Sequence, residues 1–176
     1  MPDVVIENPI LNSPFGEPTR YFKFSDEGIT NEIVEARRVS SYFIPIAKPK
    51  KKGKATQLAF DTGWTRDGIE ENVFINRIRS RVSLWRKGNY EGITKITRRL
   101  LEYWTNTERE KKLFFCQIEA AETAIYLTEV ANKYGDSWIE NSLRQFNEDA
   151  NPKLYRIAFK MATGSGKTVV MACLLY

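Results

Sequence analysis

The chain has 176 residues, with 27 Lys and Arg against 22 Asp and Glu, no histidine and a formal net charge of +5. The lack of histidine excludes a Ser/His/Asp or Cys/His catalytic set, a His-ligated metal site and a histidine pH switch. With only two cysteines, Cys116 and Cys173, a four-ligand structural zinc site is excluded as well. The composition, 42% hydrophobic and 12% aromatic, is that of a folded globular protein.

The chain shows no sign of a membrane segment or a secretory signal. Its first thirty residues are acidic and proline-containing, and its longest apolar run, residues 169–176, is far shorter than the ~20 residues that cross a bilayer. Two cysteines, one of them in that run, suggest free buried thiols in a reducing compartment. We therefore predict a cytoplasmic protein with no membrane partner.

The excess positive charge lies in the first two thirds of the chain. Its densest part is the lysine-rich segment 48–54, where Pro49 and Gly53 favour an exposed loop. A second group consists of arginines on predicted helices, and the candidates for contact with DNA phosphates are Arg77, Arg81, Arg98 and Arg99. The simpler interpretation, that both groups are ordinary solvated surfaces, is favoured, because net charge alone does not identify a nucleic-acid site.

The amino-terminal third is predicted to form short strands separated by turns. Strand candidates are residues 4–6, 21–24 and 39–46, and the turn signals between them include Gly28. No alternation of strand and helix that would build a parallel sheet is present in this part.

Four helices are predicted from about Ile69 onward. The first has an apolar stripe and is stopped by Gly88; the second begins near Thr94; the third runs over about 108–133 and is closed by Gly135; the fourth covers about 138–146. The apolar stripes are formed by Phe74, Ile78, Val82 and Trp85 in the first helix, and by Ile96, Leu100 and Trp104 in the second. Trp85, Trp104 and Trp138 fit a buried core, although stacking platforms for bases remain an alternative.

The last 26 residues predict a strand at 154–159, a glycine loop and an apolar helix from Val169. The loop, A-T-G-S-G-K-T at 162–168, has the form of a phosphate-binding loop. Glycines let backbone N–H groups close around a phosphate, a lysine extends a positive charge to the β and γ phosphates, and a threonine hydroxyl binds Mg²⁺. The predicted ligands are ATP and Mg²⁺, with Thr168 on the metal and ATP contacts from Thr163, Gly164, Ser165, Gly166, Lys167 and Thr168. The alternative is a glycine turn with a solvated lysine.

The loop resembles the first motif of superfamily-two helicases. Met161 stands where the general phosphate loop has glycine, and the variant A-x-x-G-x-G-K-T is that of DEAD/DEAH-like helicases and restriction-enzyme translocases. In those helicases a glutamine about fifty residues upstream reads adenine through its amide, and Gln117 occupies this position. Taken alone, Gln117 is equally well a surface residue of an amphipathic helix. In DEAD-box proteins an aromatic residue seventeen positions before the glutamine stacks on adenine, and this chain has Leu100 there.

The wider chain resembles the amino-terminal part of type III restriction enzyme helicase subunits. The segments that carry the resemblance are N-P-I-L-N-S-P-F-G-E-P-T-R-Y-F at 8–22, E-N-V-F-I-N-R-I-R at 71–79, L-F-F-C-Q-I-E-A at 113–120 and Y-R-I-A-F-K-M-A-T-G-S-G-K-T at 155–168. The resemblance implies two RecA-like lobes that bind ATP between them and pull on duplex DNA, with a nuclease domain and a methyltransferase or specificity subunit as partner.

These observations predict a mixed α/β chain in three regions. A β-rich region covers 1–68, a helical region covers 69–150, and 151–176 forms the start of a truncated RecA-like ATPase domain. Only eight residues follow Thr168, and no acidic motif that would complete a hydrolytic site follows the loop. We therefore expect an amino-terminal fragment of a helicase that hydrolyses ATP very slowly or not at all.

Two other functions remain open. The first is a non-enzymatic module that binds DNA or a partner subunit through its basic helices and retains a vestigial phosphate loop. The second is a small phosphate-loop kinase, which is the weaker alternative because the lid and acceptor site of a kinase follow the loop and the chain offers only eight residues there.

Overall fold

The computed structural model describes residues 6–25, 28–44 and 68–175. They form a mixture of helices and two small antiparallel sheets, which agrees with the general α/β class. Two compact units are present: one contains the described residues of 6–13 and 18–76, and the other contains 14–17 and 77–175. Within the described residues, no helix is both long and apolar enough to cross a membrane.

The first unit contains two antiparallel strand pairs. Strand β1 (Tyr21–Ser25) pairs with β2 (Gly28–Val34), with an irregularity in register between Phe22 and Phe24, and β3 (Ser41–Phe43) pairs with β4 (Ile69–Glu71). The strand predicted at 21–24 is confirmed, and β3 lies within the one predicted at 39–46. Residues 4–5, 45–46 and the lysine-rich segment 48–54 lie outside the described residues.

Two sequence predictions for this unit are wrong. No strand was predicted between the candidates at 21–24 and 39–46, whereas residues 28–34 form β2, which begins at Gly28. The first helix does not begin near Ile69, since residues 69–71 pair with β3 instead. Helix α1 (Val73–Lys87) follows, and the side chain of Asn72 accepts a hydrogen bond from the amide of Ile75 at its start (3.3 Å).

The second unit is built from helices. After α1, which ends before Gly88 as predicted, come α2 (Lys95–Thr105), α3 (Phe115–Ile125), a π-helical turn (Tyr126–Val130), a 3-10 turn (Ala131–Tyr134), α4 (Ser137–Ala150) and α5 (Lys167–Leu175). The core of this unit is formed by apolar side chains from these elements: Ile78, Val82, Trp85, Leu101, Trp104, Ala120, Ala121, Tyr126, Val130, Ala131, Ile139 and Val170. The predicted stripe of α1 is confirmed for Ile78, Val82 and Trp85, and the core position of Trp104 is confirmed, whereas Phe74 and Trp138 are half-buried.

Helix α2 is rotated relative to the predicted face. Its buried residues are Thr97, Leu101 and Trp104, whereas Ile96 is 69% exposed. The polar Thr97 is buried because its hydroxyl donates to Glu129 (2.6 Å) and also contacts the hydroxyl of Thr94 (2.8 Å). Hydrophobic periodicity does not detect a satisfied polar residue of this kind.

The third predicted helix begins later than its sequence pattern suggested. Residues 108–114 belong to the connection between α2 and α3, and the helical segment then changes from α to π and 3-10 geometry before it ends. Its predicted end is confirmed, since Gly135 has φ 77° and its amide donates to Asn132. The fourth helix is longer at both ends than predicted.

The strand predicted at 154–159 does not form. These residues are in neither helix nor strand, because a single strand of a parallel sheet has no neighbour here to which it can bond. The side chain of Asn147 on α4 forms hydrogen bonds with the backbone of this segment, as a neighbouring strand would. It donates to the carbonyl oxygen of Leu154 (3.0 Å) and accepts from the amide of Arg156 (3.3 Å).

Two networks of charged side chains join the helices of the second unit. In the first, the fully buried carboxylate of Glu122 on α3 accepts from Nε (2.9 Å) and Nη2 (2.5 Å) of Arg86 on α1 and from the hydroxyl of Tyr90 (2.6 Å). In the second, buried Asp136 accepts from Arg81 (2.5 Å), from the Tyr126 hydroxyl (2.5 Å) and from the Trp138 indole (3.0 Å). Buried charges of this kind are tolerated because each is paired and hydrogen-bonded.

The groups around Asp136 shift one another's pKa values. Burial alone would raise the pKa of Asp136, but hydrogen bonds from Arg81, Tyr126 and Trp138 outweigh it, so the pKa lies below the ordinary value. Burial and the hydrogen bond to Asp136 raise the pKa of Tyr126 to about 12. Asp136 is therefore ionised and Tyr126 neutral at physiological pH.

Candidate functional site

The glycine loop at 162–166 adopts a conformation that depends on its glycines. Gly164 and Gly166 have φ values of 78° and 76°, in the left-handed region that side chains disfavour. Helix α5 begins directly at Lys167, two residues before the predicted start at Val169. The loop therefore ends at a helix amino terminus, where free N–H groups and the helix dipole favour an anion.

The hydrogen bonds inside the loop leave several N–H groups available to a ligand. The amide and hydroxyl of Ser165 donate to the carbonyl of Ala162, and the amides of Val169 and Val170 donate to Gly166. Within the part of the chain that the structure describes, no acceptor bonds the amides of four further loop residues, which are Gly164, Gly166, Lys167 and Thr168. Four donors at a helix start fit the requirements of a phosphate group.

The lysine of the loop is held by the loop itself. The Nζ atom of Lys167 donates to the carbonyl oxygen of Ala162 (2.9 Å), and the side chain of Lys167 is exposed. A single exposed hydrogen bond contributes little stability, and a phosphate is a stronger partner for an ammonium group than a carbonyl is. Thr168 is also exposed, in the first turn of α5.

Gln117, the candidate adenine-binding residue, lies against the loop. Its Nε2 atom donates to the carbonyl oxygen of Ser165 (3.0 Å), and its Oε1 atom accepts from the backbone amide of Phe114 (2.9 Å). Gln117 is 5% exposed, so both functional ends of its amide are engaged inside the protein. The structure thus joins the first turn of α3 to the loop across 48 positions of sequence, while a role in adenine recognition stays a prediction.

The first turn of α3 also places a thiol beside the loop. Cys116 is exposed, and its Sγ atom lies 4.0 Å from the carbonyl oxygen of Ser165. Cys173 on α5 is half-buried, and this burial raises the pKa of its thiol. Both cysteines are free thiols, as predicted, but the prediction that both are buried is wrong for Cys116.

The segment 14–17 is a part of the site region that sequence reasoning did not identify. The carbonyl of Pro14 accepts from the amide of Phe115 (2.8 Å), and the ring of Phe15 packs against that of Phe114 with centroids 5.7 Å apart. These contacts join positions about one hundred residues apart, and no local sequence pattern encodes them. The one sequence feature that could have drawn attention to segment 14–17 is its proline followed by an aromatic residue, Pro14 and Phe15.

Three of the four arginines predicted as DNA contacts have partners within the described residues. Arg81 is bonded to Asp136, Arg77 stacks over the ring of Trp138 (4.0 Å), and Arg98 donates to the carbonyls of the 89–90 turn. Arg99 is exposed, and among the described residues its side chain has no hydrogen-bonded, ion-paired or aromatic partner. Three of the four side chains thus have partners inside the protein, whereas Arg99 is available to an external one.

The described residues contain no group of three or more Cys, Asp or Glu side chains that would hold a metal ion. Within the loop, the Thr168 hydroxyl is an oxygen of the kind that magnesium binds, and its role as a metal ligand stays a prediction.

No protein-family model, curated protein or solved structure matches this chain. The resemblance to superfamily-two helicases therefore rests on its motifs and stays an expectation.

Proposed function

We propose that the loop at 162–168 binds the phosphates of MgATP, and that the chain belongs to an ATP-dependent motor of the type III restriction helicase kind. The proposal treats residues 151–175 as the beginning of a RecA-like nucleotide-binding domain. Its intact form would act on duplex DNA together with a methyltransferase or specificity subunit. The single observation that carries the proposal is the loop geometry: two left-handed glycines, four amides without an acceptor among the described residues, and a helix that begins at Lys167.

The charges at the loop support a phosphate rather than a neutral ligand. Lys167 supplies the one cationic side chain within the loop sequence, and the dipole of α5 adds a partial positive charge at the same point. When Lys167 leaves the carbonyl of Ala162 for a phosphate oxygen, it exchanges a neutral acceptor for an anionic one. Both hydrogen bonds have an ionised donor, but the phosphate adds the attraction between opposite charges, so this exchange favours the bound state.

Equilibrium binding of MgATP to the full chain tests the proposal. We expect saturable binding in calorimetry, and we expect Lys167→Ala to weaken it at least ten-fold, since a charged hydrogen bond contributes about 1.5–3 kcal/mol. Lys160→Ala is the matched control, because Lys160 is an exposed lysine seven residues before Lys167. Equal affinities of the wild type and Lys167→Ala would contradict a phosphate role for the loop.

A non-enzymatic DNA-binding module is the alternative function. The internal partners of Arg77, Arg81 and Arg98 weaken it, because removing these contacts to reach DNA costs stability. Arg99 is the arginine that best fits a phosphate contact. Salt-dependent binding of duplex DNA that is reduced by Arg99→Ala but unchanged by Lys167→Ala would favour this alternative over nucleotide binding.

A further inference from the structure

Helix α2 presents to solvent the side that lies opposite its core contacts. Its buried residues are Thr97, Leu101 and Trp104. Positions 95, 96, 99, 102 and 103 lie on the other side of the helix, because an α-helix repeats every 3.6 residues, and all five are exposed. We call this surface the outer face of α2, and it consists of Lys95, Ile96, Arg99, Glu102 and Tyr103.

The outer face of α2 carries exposed apolar area. Ile96 is 69% exposed and Tyr103 is 60% exposed, and a spacing of seven positions puts both on the same side of the helix. The guanidinium of Arg109, in the connection that follows α2, lies over the ring of Tyr103 at 4.2 Å from its centroid. A ring held in this way loses little conformational freedom when a partner covers it, and Tyr and Arg are residue types enriched in protein interfaces.

The cations of this surface lack an acidic partner. Among the described residues, the side chains of Lys95 and Arg99 have no hydrogen-bonded or ion-paired partner. Arg109 forms no ion pair there either, and its buried Nη1 atom has no hydrogen-bond acceptor. Residues 95–112 contain six Lys and Arg against three Asp and Glu, a net charge of +3 in a chain whose total is +5. With Glu102 as the one carboxylate of the outer face, the surface is complementary to an acidic partner.

The same surface suits a polypeptide better than a nucleic acid. The exposed side chain of Ile96 is stabilised by apolar groups, which a peptide offers and a phosphate backbone does not. Glu102 lies next to Tyr103 in the sequence and would repel phosphate groups. An acidic peptide can place its carboxylates at the cations and turn a neutral side chain toward Glu102, whereas a nucleic acid is charged along its whole length.

We propose that the outer face of α2 binds an acidic segment of a partner protein. The Asp or Glu side chains of that segment pair with Lys95 and Arg99, and an aliphatic side chain packs on Ile96 and Tyr103. This inference goes beyond nucleotide binding at the glycine loop and does not depend on it. The complex should weaken as salt is added, because exposed charges are screened over about 8 Å at physiological ionic strength.

Selection from a display library of random peptides, with the full chain as bait, tests the chemistry of the partner. Peptides of about 15 residues span about four turns of helix. We expect the selected peptides to be rich in Asp and Glu and to contain Leu, Ile or Val, and we expect Arg99→Glu to weaken their binding about ten-fold. Arg156→Glu is the matched control, because it makes the same change of charge at an exposed arginine outside α2 and should retain the wild-type affinity.

A second variant tests the apolar part of the surface. Ile96→Ser keeps every charge, so it should weaken the selected peptides about five-fold and leave the salt dependence unchanged. Circular dichroism shows whether each variant retains its fold, and Ile96→Ser provides an independent test if Arg99→Glu is unfolded.

Three results would overturn the proposal. The first is a selection that yields no peptide, or peptides without an excess of acidic residues. The second is an affinity for the selected peptides that is the same in the wild type, Arg99→Glu and Ile96→Ser. The third is binding of duplex DNA that Arg99→Glu abolishes while Ile96→Ser leaves it unchanged, which would assign the outer face of α2 to nucleic acid.

Discussion

A side chain at Gly166 would overlap the amide nitrogen of Gln117. A Cβ atom built on Gly166 meets Nε2 of Gln117 well inside contact distance, whereas one built on Gly164 meets no atom within 4 Å. The two glycines have nearly the same left-handed φ, 76° and 78°. Alanine at Gly164 therefore introduces backbone strain alone, whereas alanine at Gly166 introduces the same strain and also displaces Gln117.

The first prediction compares alanine at these two glycines. Gly164→Ala should lower the free energy of unfolding by about 1–2 kcal/mol, because a non-glycine residue in the left-handed region carries that strain. Gly166→Ala should cost about 1 kcal/mol more, since Gln117 also loses its hydrogen bond to Ser165. Urea denaturation measures both values.

A double-mutant cycle supplies the control for this prediction. In the Gly166→Ala background, Gln117→Ala should cost less than it does in the wild type, because the displaced amide has already lost its partner. Additive effects of the two substitutions would show that Gln117 does not restrict position 166.

The second prediction concerns the buried pair of Arg86 and Glu122. Arg86→Ala should destabilise the chain by about 3–5 kcal/mol, because it leaves the fully buried carboxylate of Glu122 without its cation. Arg144→Ala is the matched control: Arg144 pairs with Glu140 one helical turn away on the exposed face of α4 and should cost about 0.5 kcal/mol or less. Similar losses of unfolding free energy in the two variants would mean that burial does not make the Arg86–Glu122 pair more important for stability than an exposed pair.

The third prediction is a pH dependence from Asp136. Its pKa in the folded chain is below the unfolded value of about 3.9, so its contribution to stability is complete above that value and is lost as pH falls through the folded pKa. Asp136→Asn should cost about 1–3 kcal/mol at neutral pH, and the difference from the wild type should shrink below about pH 4. Denaturation curves over this pH range measure the change.

An exposed carboxylate on α4, the helix that follows Asp136, provides the control for that pH dependence. Asp149→Asn, near the end of α4, should have little effect on stability at any pH in this range. A constant difference between Asp136→Asn and the wild type from neutral to acidic pH would contradict the ionised, paired state of Asp136.

Sequence reasoning predicted the elements whose signals are local. Helix α1 was found because its buried residues repeat every three to four positions, and its end was found because Gly88 follows it. The end of the third helical segment was predicted correctly because glycine is the residue that most readily adopts the left-handed conformation that ends a helix, and Gly135 has that conformation. In α2, by contrast, the periodicity favoured Ile96 over Thr97, since the hydrogen bond from Thr97 to Glu129 joins distant parts of the sequence.

In the candidate site as well, the features that local sequence encodes could be predicted, and the contacts between distant residues could not. The glycine loop could be predicted because its residues are consecutive, and Gln117 was singled out through the helicase resemblance. The approach of Phe15 to Phe114 could not be predicted, because it depends on the fixing of segment 14–17 by Phe115 and Arg86. The strand predicted at 154–159 failed for a related reason, since a parallel strand requires partners that local sequence does not specify.

Alkylation of Cys116 tests the central claim most directly, because its thiol lies beside the carbonyl of Ser165 in the loop. In a Cys173→Ala chain, Cys116 is the one remaining thiol, and its reaction with N-ethylmaleimide can be followed by mass. We predict that MgATP at ten times its Kd slows this reaction about ten-fold, and that Lys167→Ala reduces the protection to about two-fold or less at the same concentration. A rate that stays unchanged at every concentration of MgATP would contradict nucleotide binding at this loop.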